Sequence, residues 1–550
     1  NFPIAIPCGG ICAALAAGNT VILKPASDTV LVAHVLCQCF WRAGISRHTL
    51  QMLPCRGATE GQQLASHDGV DAVVLTGGTE TALQMLAAKP SMHLLAETGG
   101  KNATIVTALA DRDQAIKHVL HSAFSHSGQK CSATSLLILE AEVYDDPQFR
   151  RALCDAVESL PVGAVWQQEH KMGPLIRPPS GALERAIKEL ERGEAWAVMP
   201  QQRDDNPHLY SPGVKWNVQP GSFTHLTELF GPVLGVMKAQ HLDEAMALVN
   251  ATGYGLTSGL ESLDDREQAL WRETIRAGNL YINRPTTGAI VLRQPFGGMN
   301  KSSIGPGIKA GGPNYVASLI VFHDPDKQPS PLGKLEDNVD HQLAALVAAL
   351  ENDCDQHDWL TAHDIDWLYD AIARYAAAWR DEFSRDHDSF RLIGQDNLRR
   401  YLPAANVRIR ADAADRSWEV LARMAAAKTV GSRITISEPP GERLPHVALL
   451  DRMTESWAGA IEFLPESNEQ LAEVIRQGRV DRVRFASPDR VPDVVRSAAA
   501  AAGFYLADEQ VHRCGRLELL HYVQEQSISH DYHRYGNLVD RADEARADTL

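Results

Sequence analysis

The chain has 550 residues, 44% of them hydrophobic and 22% charged, a composition that supports two to four packed domains. Its formal charge of −16 offers no dense Lys/Arg face for phosphate, which argues against a nucleic-acid partner. No apolar run approaches the ~18–20 residues that span a bilayer, and the start lacks a secretory n-region and h-region, so a cytoplasmic location is expected.

The chain opens at Asn1-Phe2-Pro3, already inside a motif, and reads as a fragment or a processed chain. Residues 11–17, rich in Ala and stopped by Gly18-Asn19, predict a helix. Residues 20–25 read as a buried strand that ends at Lys24-Pro25. Helix 30–43, strand 49–53, helix 61–65, strand 72–75, helix 80–88 and strand 94–96 continue the alternation. Such alternation implies a doubly wound parallel sheet. Ligands of these sheets bind beyond the carboxyl ends of the strands, where Lys24, Thr76-Gly77-Gly78 and Glu97 all fall. Gly77 and Gly78 leave backbone N–H groups at a helix N-terminus, which suits a pyrophosphate as readily as a plain turn. Gly305-Pro306-Gly307-Ile308-Lys309-Ala310 matches a dinucleotide fingerprint in form only, because no β-α-β context surrounds it.

Glu97-Thr98-Gly99-Gly100-Lys101-Asn102 sets a carboxylate beside two glycines, where the backbone can turn sharply. Further on, Phe124-Ser125-His126-Ser127-Gly128-Gln129-Lys130-Cys131-Ser132-Ala133 places a cysteine among small residues and next to a cation. The Lys130 ammonium is expected to lower the thiol pKa and favour the nucleophilic thiolate. Alone, a Cys beside a Lys is more often a structural thiol. A sulfur nucleophile together with a carboxylate that can activate water makes a two-step acyl-enzyme apparatus. The cysteines at 8, 12, 37, 39, 55, 154, 354 and 514 have no zinc-like spacing with histidines and read as buried reduced thiols, with no metal site expected.

Strand 135–139, helix 148–159 and a polar loop at 201–217 follow. Then come Glu228-Leu229-Phe230-Gly231-Pro232-Val233, Gly253-Tyr254-Gly255-Leu256, Gly278-Asn279-Leu280-Tyr281-Ile282-Asn283, Pro285-Thr286-Thr287-Gly288-Ala289 and Gln294-Pro295-Phe296-Gly297-Gly298. A Pro-rich polar stretch at 324–337 reads as a linker. Helix 364–383 carries Trp367, Tyr375 and Trp379 as a core stripe. Segments 418–427, 433–437, 460–464, 468–476 and 483–485 alternate as a second, smaller α/β unit to which no chemistry is assigned. Alternation over 527–532 suits an added edge strand, and the histidines beside it do not make a metal set. Residues 540–550 are charged and expected to fray.

Glu97-Thr98-Gly99-Gly100-Lys101 resembles the glutamate motif of the aldehyde dehydrogenase superfamily, and Gly128-Gln129-Lys130-Cys131 its cysteine motif, within a match that runs from Asn1 to about Tyr315. Gln129-Lys130 and Lys309-Ala310-Gly311-Gly312-Pro313 resemble the Δ1-pyrroline-5-carboxylate (L-glutamate γ-semialdehyde) dehydrogenase branch. The long C-terminal region is similar to that of bifunctional proline utilization A proteins. The resemblance implies an α/β aldehyde dehydrogenase fold, with a Rossmann-like NAD-binding domain at 1–96 that lacks its N-terminal part and an α/β catalytic domain at 97–323. A linker at 324–345, a C-terminal α/β domain at 346–514 without its own active site, and a β-flap at 515–540 complete it. In relatives such a flap pairs with another subunit or covers the catalytic domain of its own chain.

By the same resemblance Cys131 is the nucleophile, Glu97 the base that activates water, and the Asn1 amide with the Cys131 backbone N–H the donors to the oxyanion. Lys24 is similar to the lysine that contacts the adenosine ribose; Ser27 stands where a glutamate commonly rejects a 2′-phosphate; Gly77 and Gly78 lie at the pyrophosphate, Gly78 in place of the family's Ser. Glu228, with Phe230, resembles the motif that holds the nicotinamide ribose. Gly288, Ala289 and Ser132 would hold the substrate's amino-acid end, Phe296 would pack on its methylenes, and Lys130 belongs to the same group. NAD is the implied cofactor, NADP stays open at Ser27, and FAD is implied only if an upstream proline dehydrogenase domain is joined to the chain. The implied activity is oxidation of L-glutamate γ-semialdehyde to L-glutamate in proline catabolism, through a thiohemiacetal and a thioester. Two alternatives are the same chemistry on another semialdehyde, such as that of succinate, and a non-catalytic scaffold of this fold. The implied partners are a small-molecule substrate, further copies of the chain, and a covalent upstream proline dehydrogenase domain that would give any peripheral membrane association.

Overall fold

The computed structural model describes residues 1–324, 335, 339–353, 357, 359–441, 443–457 and 459–546. Most of the expected linker at 324–345, Cys354 and the last four residues therefore lie outside the described residues.

A nine-stranded sheet organises the region around Cys131. Its order is Gln395–Pro403, Val523–Asp531, Asn279–Ile282, Thr257–Glu261, Ala103–Val106, Leu136–Glu140, Val233–Ala239, Gly213–Trp216 and Ala195–Val198. All neighbours run parallel except the outermost pair on each side. The interior strand Leu136–Glu140 shows why the sequence folds this way. Leu136 and Ile138 join one apolar layer with Ala103, Ile105 and Leu280, while Leu137 and Leu139 join the opposite layer with Val106, Val119 and Val236. A strand covered on both faces needs a continuous apolar run rather than an alternating one. The helices Arg112–Phe124 and Pro147–Glu158 cover the second layer; Asp111 caps the first by accepting from Gln114 N at 3.2 Å.

The segment expected as an edge strand over 527–532 is interior instead. Val523–Asp531 pairs in parallel with Asn279–Ile282 on one side and antiparallel with all of Gln395–Pro403 on the other. Gln395–Pro403, not anticipated from the sequence, is the edge. The reason lies in the buried face of the inserted strand, which carries Glu525, Ser527 and Ser529 and satisfies them by hydrogen bonds. Polar residues at those positions imitate a solvent-facing pattern.

Towards the N-terminus, Val21–Leu23 pairs with Leu50–Met52, and a separate sheet joins Ala72–Thr76, His93–Glu97 and Ser303–Ile304. Its register sets Thr76 beside Glu97, so the Gly77-Gly78 turn and the Glu97 carboxylate emerge at neighbouring strand ends. The cysteines among the described residues are free thiols, but Cys12 and Cys39 are exposed, which corrects the expectation that all are buried.

The C-terminal unit is a five-stranded parallel sheet in the order Ile461–Pro465, Arg433–Glu438, Asn406–Arg410, Arg482–Arg484, Leu506–Ala507. Numbered along the chain this is 3-2-1-4-5, a doubly wound topology whose switch point lies between Asn406–Arg410 and Arg482–Arg484. The Arg423 guanidinium fills that point, donating to Arg410 O at 2.8 Å, to Arg484 O at 3.3 Å and to Asp415. A crevice that elsewhere receives ligand is closed here by a fully buried side chain. Arg484 in turn pairs with buried Glu518 at 2.9 Å, and Tyr522 OH and His512 N donate to the same carboxylate.

Candidate active site

The Cys131 loop begins where the helix Arg112–Phe124 stops. His126 (φ 54°), Ser127 (φ 55°) and Gly128 (φ 69°) take left-handed conformations in succession. For the first two this costs about 1 kcal/mol or more each, so the surroundings must hold them. Ser127 Oγ donates to Gly173 O at 2.5 Å, and the His126 ring packs 5.5 Å from that of Phe2. At Gly128 a Cβ would stand 2.3 Å from Gly231 O, so only glycine lets this loop lie against the Glu228 loop. Gly128→Ala is expected to cost about 1–3 kcal/mol by overcrowding and to lower turnover with it; a melting curve beside an activity assay reads both. Asn102 fixes the other side of the nucleophile: its Nδ2 donates to Cys131 O at 2.6 Å and Ala133 O at 2.9 Å, while its Oδ1 accepts from Thr257 N.

Burial pushes the Cys131 thiol up to about 11, and the Glu97 and Glu228 carboxylates push the same way. Hydrogen bonds from the Asn1 side chain and the Ser132 backbone oppose this without overcoming it. The Lys130 and Cys131 charges attract, as expected, but burial outweighs that attraction at the thiol, so the net shift is upward. The Lys130 ammonium turns to Ser125 Oγ at 3.0 Å, and is itself pushed down by burial. The resting site holds a neutral thiol that needs a proton acceptor.

Glu97 ends the strand His93–Glu97 and is half-buried. Its Oε2 accepts from Gly298 N at 2.9 Å. Burial raises it to about 7, against the Gly298 hydrogen bond, the Lys309 charge and Ser303. A carboxylate poised near neutrality is suited to take a proton from water or thiol. Glu228 seats on the turn that follows Glu97: its Oε1 accepts from Gly100 N at 2.9 Å, and a Cβ at Gly99 would meet its Oε2 at 2.1 Å. The two glycines of the Glu97 motif are thus the floor under a second carboxylate. Burial raises Glu228 as well, with Gly100 and the Lys101 charge opposing.

Of the residues expected at a cofactor, Lys24 follows the strand Val21–Leu23 and donates to Pro25 O at 2.6 Å, and Ser27 is exposed in the next turn. Its neighbour Asp28 is held by Arg177 at 2.8 Å. Gly77 N donates to Glu97 O at 3.1 Å, so one of the two N–H groups expected to be free is engaged, a correction that leaves Gly78. Gly78 directly precedes the helix Thr79–Ala88 and is open, with nothing within 4 Å of where a Cβ would be. Phe230 is 38% exposed with φ 51°, and Gln129 Nε2 donates to its carbonyl at 3.4 Å. A cation, an open helix start and a seated carboxylate fit a dinucleotide.

The loop expected to hold a substrate is tied to the nucleophile by Thr286 Oγ1, which donates to Ser132 O at 2.9 Å. Gly288 (φ 124°) and Ala289 are exposed, and Phe296 pairs with Ala310 through two backbone hydrogen bonds of 2.9 and 3.0 Å. The Gln294 amide donates to Gly288 O at 2.5 Å and accepts from Arg284 at 2.8 Å. Arg284 also meets Ser529 of the inserted strand. Asn102, Arg284, Gln294 and Ser529 were not singled out as site residues, although Asn102 stands inside the Glu97 motif and Gln294 opens the motif that contains Phe296.

The aldehyde dehydrogenase family profile matches residues 1–321. Among curated relatives, the 1-pyrroline-5-carboxylate dehydrogenase of Geobacillus thermodenitrificans is 37% identical over 327 residues, 58% of this chain and 62% of that protein. The bifunctional protein PutA of Salmonella typhimurium is 32% identical over 526 residues, 92% of this chain and 38% of that protein. Of solved structures, proline utilization A from Corynebacterium freiburgense superposes with a TM-score of 0.77 at 38% identity, covering 98% of this chain and 49% of that one. The NAD-bound 1-pyrroline-5-carboxylate dehydrogenase from Thermus gives 0.54 at 32% identity, covering 58% and 62%. The chain therefore spans less than two thirds of the length of these relatives.

Proposed function

Because this chain belongs to the aldehyde dehydrogenase family, we propose that it oxidises L-glutamate γ-semialdehyde to L-glutamate with NAD as the acceptor. Its architecture is the aldehyde dehydrogenase fold of those relatives. The observation that carries the reading is the pairing of the Cys131 thiol with a Glu97 carboxyl near neutrality, whose charge acts on the thiol, where Gly298 N holds the carboxylate and Asn102 holds the Cys131 carbonyl.

In this reading the Cys131 thiol gives its proton to solvent, and the thiolate sulfur bonds to the aldehyde carbon. The Asn1 amide and the Cys131 N–H donate to the oxyanion; losing one such donor costs ~2.7–4 kcal/mol. Lys24, Ser27, the Gly77-Gly78 turn, Glu228 and Phe230 would hold NAD, which supplies a hydride acceptor when bound. Glu97 then takes a proton from the water whose oxygen bonds to the thioester carbonyl, and the carbon–sulfur bond breaks to release glutamate and the thiol. Gly288, Ala289, Ser132 and Lys130 would hold the amino-acid end of the substrate, with Phe296 on its methylenes.

The working division is 1–96 for cofactor, 97–323 for catalysis, 346–514 as a unit without its own site and 515–540 as a flap. Among the described residues no helix is long and apolar enough to cross a membrane; a cytoplasmic location, a covalent upstream proline dehydrogenase domain with its FAD, and further copies of the chain belong to the same proposal. NADH formation from glutamate semialdehyde, run beside succinate semialdehyde and beside NADP, tests it. A faster reaction with succinate semialdehyde would reassign the substrate, and no NADH from either would favour a scaffold.

A further inference from the structure

Lys309 takes no part in the steps above, yet it is buried in the wall of the crevice. Its Nζ donates to Gly297 O at 3.0 Å and to Asn279 Oδ1 at 2.6 Å. Gly297 O and Gly298 N belong to one peptide group, and Gly298 N is the donor to Glu97 Oε2 at 2.9 Å. That peptide is clamped between a cation on its oxygen and a carboxylate on its N–H. Neither side leaves slack: a Cβ on Gly297 would stand 2.9 Å from Glu97 Oε1 and 3.2 Å from Lys309 Cγ. Charge on the oxygen side polarises the amide and strengthens its N–H as a donor.

Lys309 is held from behind by the inserted C-terminal strand. Glu525 Oε2 accepts from Lys309 N at 2.8 Å, and its Oε1 accepts from Asn314 Nδ2 at 2.7 Å. Asn314 also reaches Tyr401 OH at 2.8 Å, on the edge strand Gln395–Pro403. An unbroken series of contacts therefore runs from that edge strand through Glu525, Lys309 and one peptide bond to Glu97.

We propose that Lys309, backed by Glu525, is a positioning residue for Glu97, holding the carboxylate in place and ionised through the Gly297–Gly298 peptide. This rests on Glu97 being the base of the proposed reaction. The charged and titratable groups that face Glu97 are Lys309, the Cys131 thiol and Tyr315; those that face Glu525 are Lys309, Arg399 and Tyr401. Lys309 is a cation acting on Glu97, itself pushed down to about 7 by burial against the Glu97 and Glu525 charges; without it, only the Gly298 hydrogen bond and Ser303 oppose the burial of Glu97.

The test is the pH profile of kcat for Lys309→Met and Glu525→Gln beside the unaltered chain. In Lys309→Met the acidic limb is expected to move up by about one pH unit or more, the low end of what a nearby opposite charge does. Glu525→Gln should move it the same way by less, since the ammonium loses its buried counter-charge. NAD affinity should stay unchanged in both. If either variant is folded and active with its limb in the original place, the proposal is overturned; should Lys309→Met fail to fold, Glu525→Gln decides. Alkylation of Cys131 by iodoacetamide, followed against pH, reads the Glu97 ionisation without any substrate. An unaltered chain that makes no NADH would thus sink the reading of function while this inflection, moved or unmoved, still judges Lys309.

Discussion

Cys131→Ala is expected to lower NADH formation from the semialdehyde by about 10⁴-fold or more, since the covalent route loses the atom that forms its first bond. The loss should fall on kcat rather than on folding. The Cys131 side chain is only half-buried, and the contacts that fix its loop are made by other groups: Asn102 to the Cys131 and Ala133 carbonyls, Ser127 to Gly173 and Gly128 against Gly231. Removing one sulfur leaves them in place. Cofactor affinity and melting temperature should therefore stay near those of the unaltered chain. Turnover at the original rate would remove the basis of the whole mechanism.

Glu97→Gln should act on the second half of the cycle. The amide can still accept from Gly298 N but cannot take a proton from water, so thioester hydrolysis is expected to slow by about 10²–10⁴-fold. Hydride transfer precedes that step. Rapid mixing should show one NADH per active chain formed in a burst, followed by near arrest. The pH dependence follows from the carboxyl standing at about 7. Deacylation needs the ionised form, so steady-state turnover in the unaltered chain should rise as pH passes upward through about 7, and that limb should vanish in the variant. A burst absent from Glu97→Gln but present in the unaltered chain would move Glu97 to the first step, as acceptor of the thiol proton.

Much of the site could be read from the chain because its parts are local. Glu97 with its two glycines and Cys131 with its small neighbours are contiguous motifs, and strand ends could be placed from apolar runs such as Leu136 to Leu139. What escaped was set by burial and by distance along the chain. Lys130 does attract the Cys131 charge, but its ammonium donates to Ser125 Oγ and burial of the thiol outweighs the attraction. The thiol pKa is instead governed by desolvation, which no motif records. Gly77 looked free because its partner, Glu97 O, lies on the adjacent strand. Gln395–Pro403 was missed and Val523–Asp531 misplaced for one reason, that polar residues fill both faces of a buried strand pair and cancel the period-two signal.

The inserted strand Val523–Asp531 also decides when this protein can finish folding. It lies in the interior of the large sheet, yet it is made long after Asn279–Ile282, the strand it pairs with in parallel. Until it arrives, Asn279–Ile282 is an open edge with unpaired backbone groups, and Glu525 and Ser529 are not yet behind Lys309 and Arg284. The stretch matched by the family profile ends at residue 321, so its limit in sequence is no limit for autonomous folding. A chain cut there would emerge sticky and half-assembled, whereas supplying the missing tail as a separate polypeptide should restore solubility before it restores turnover.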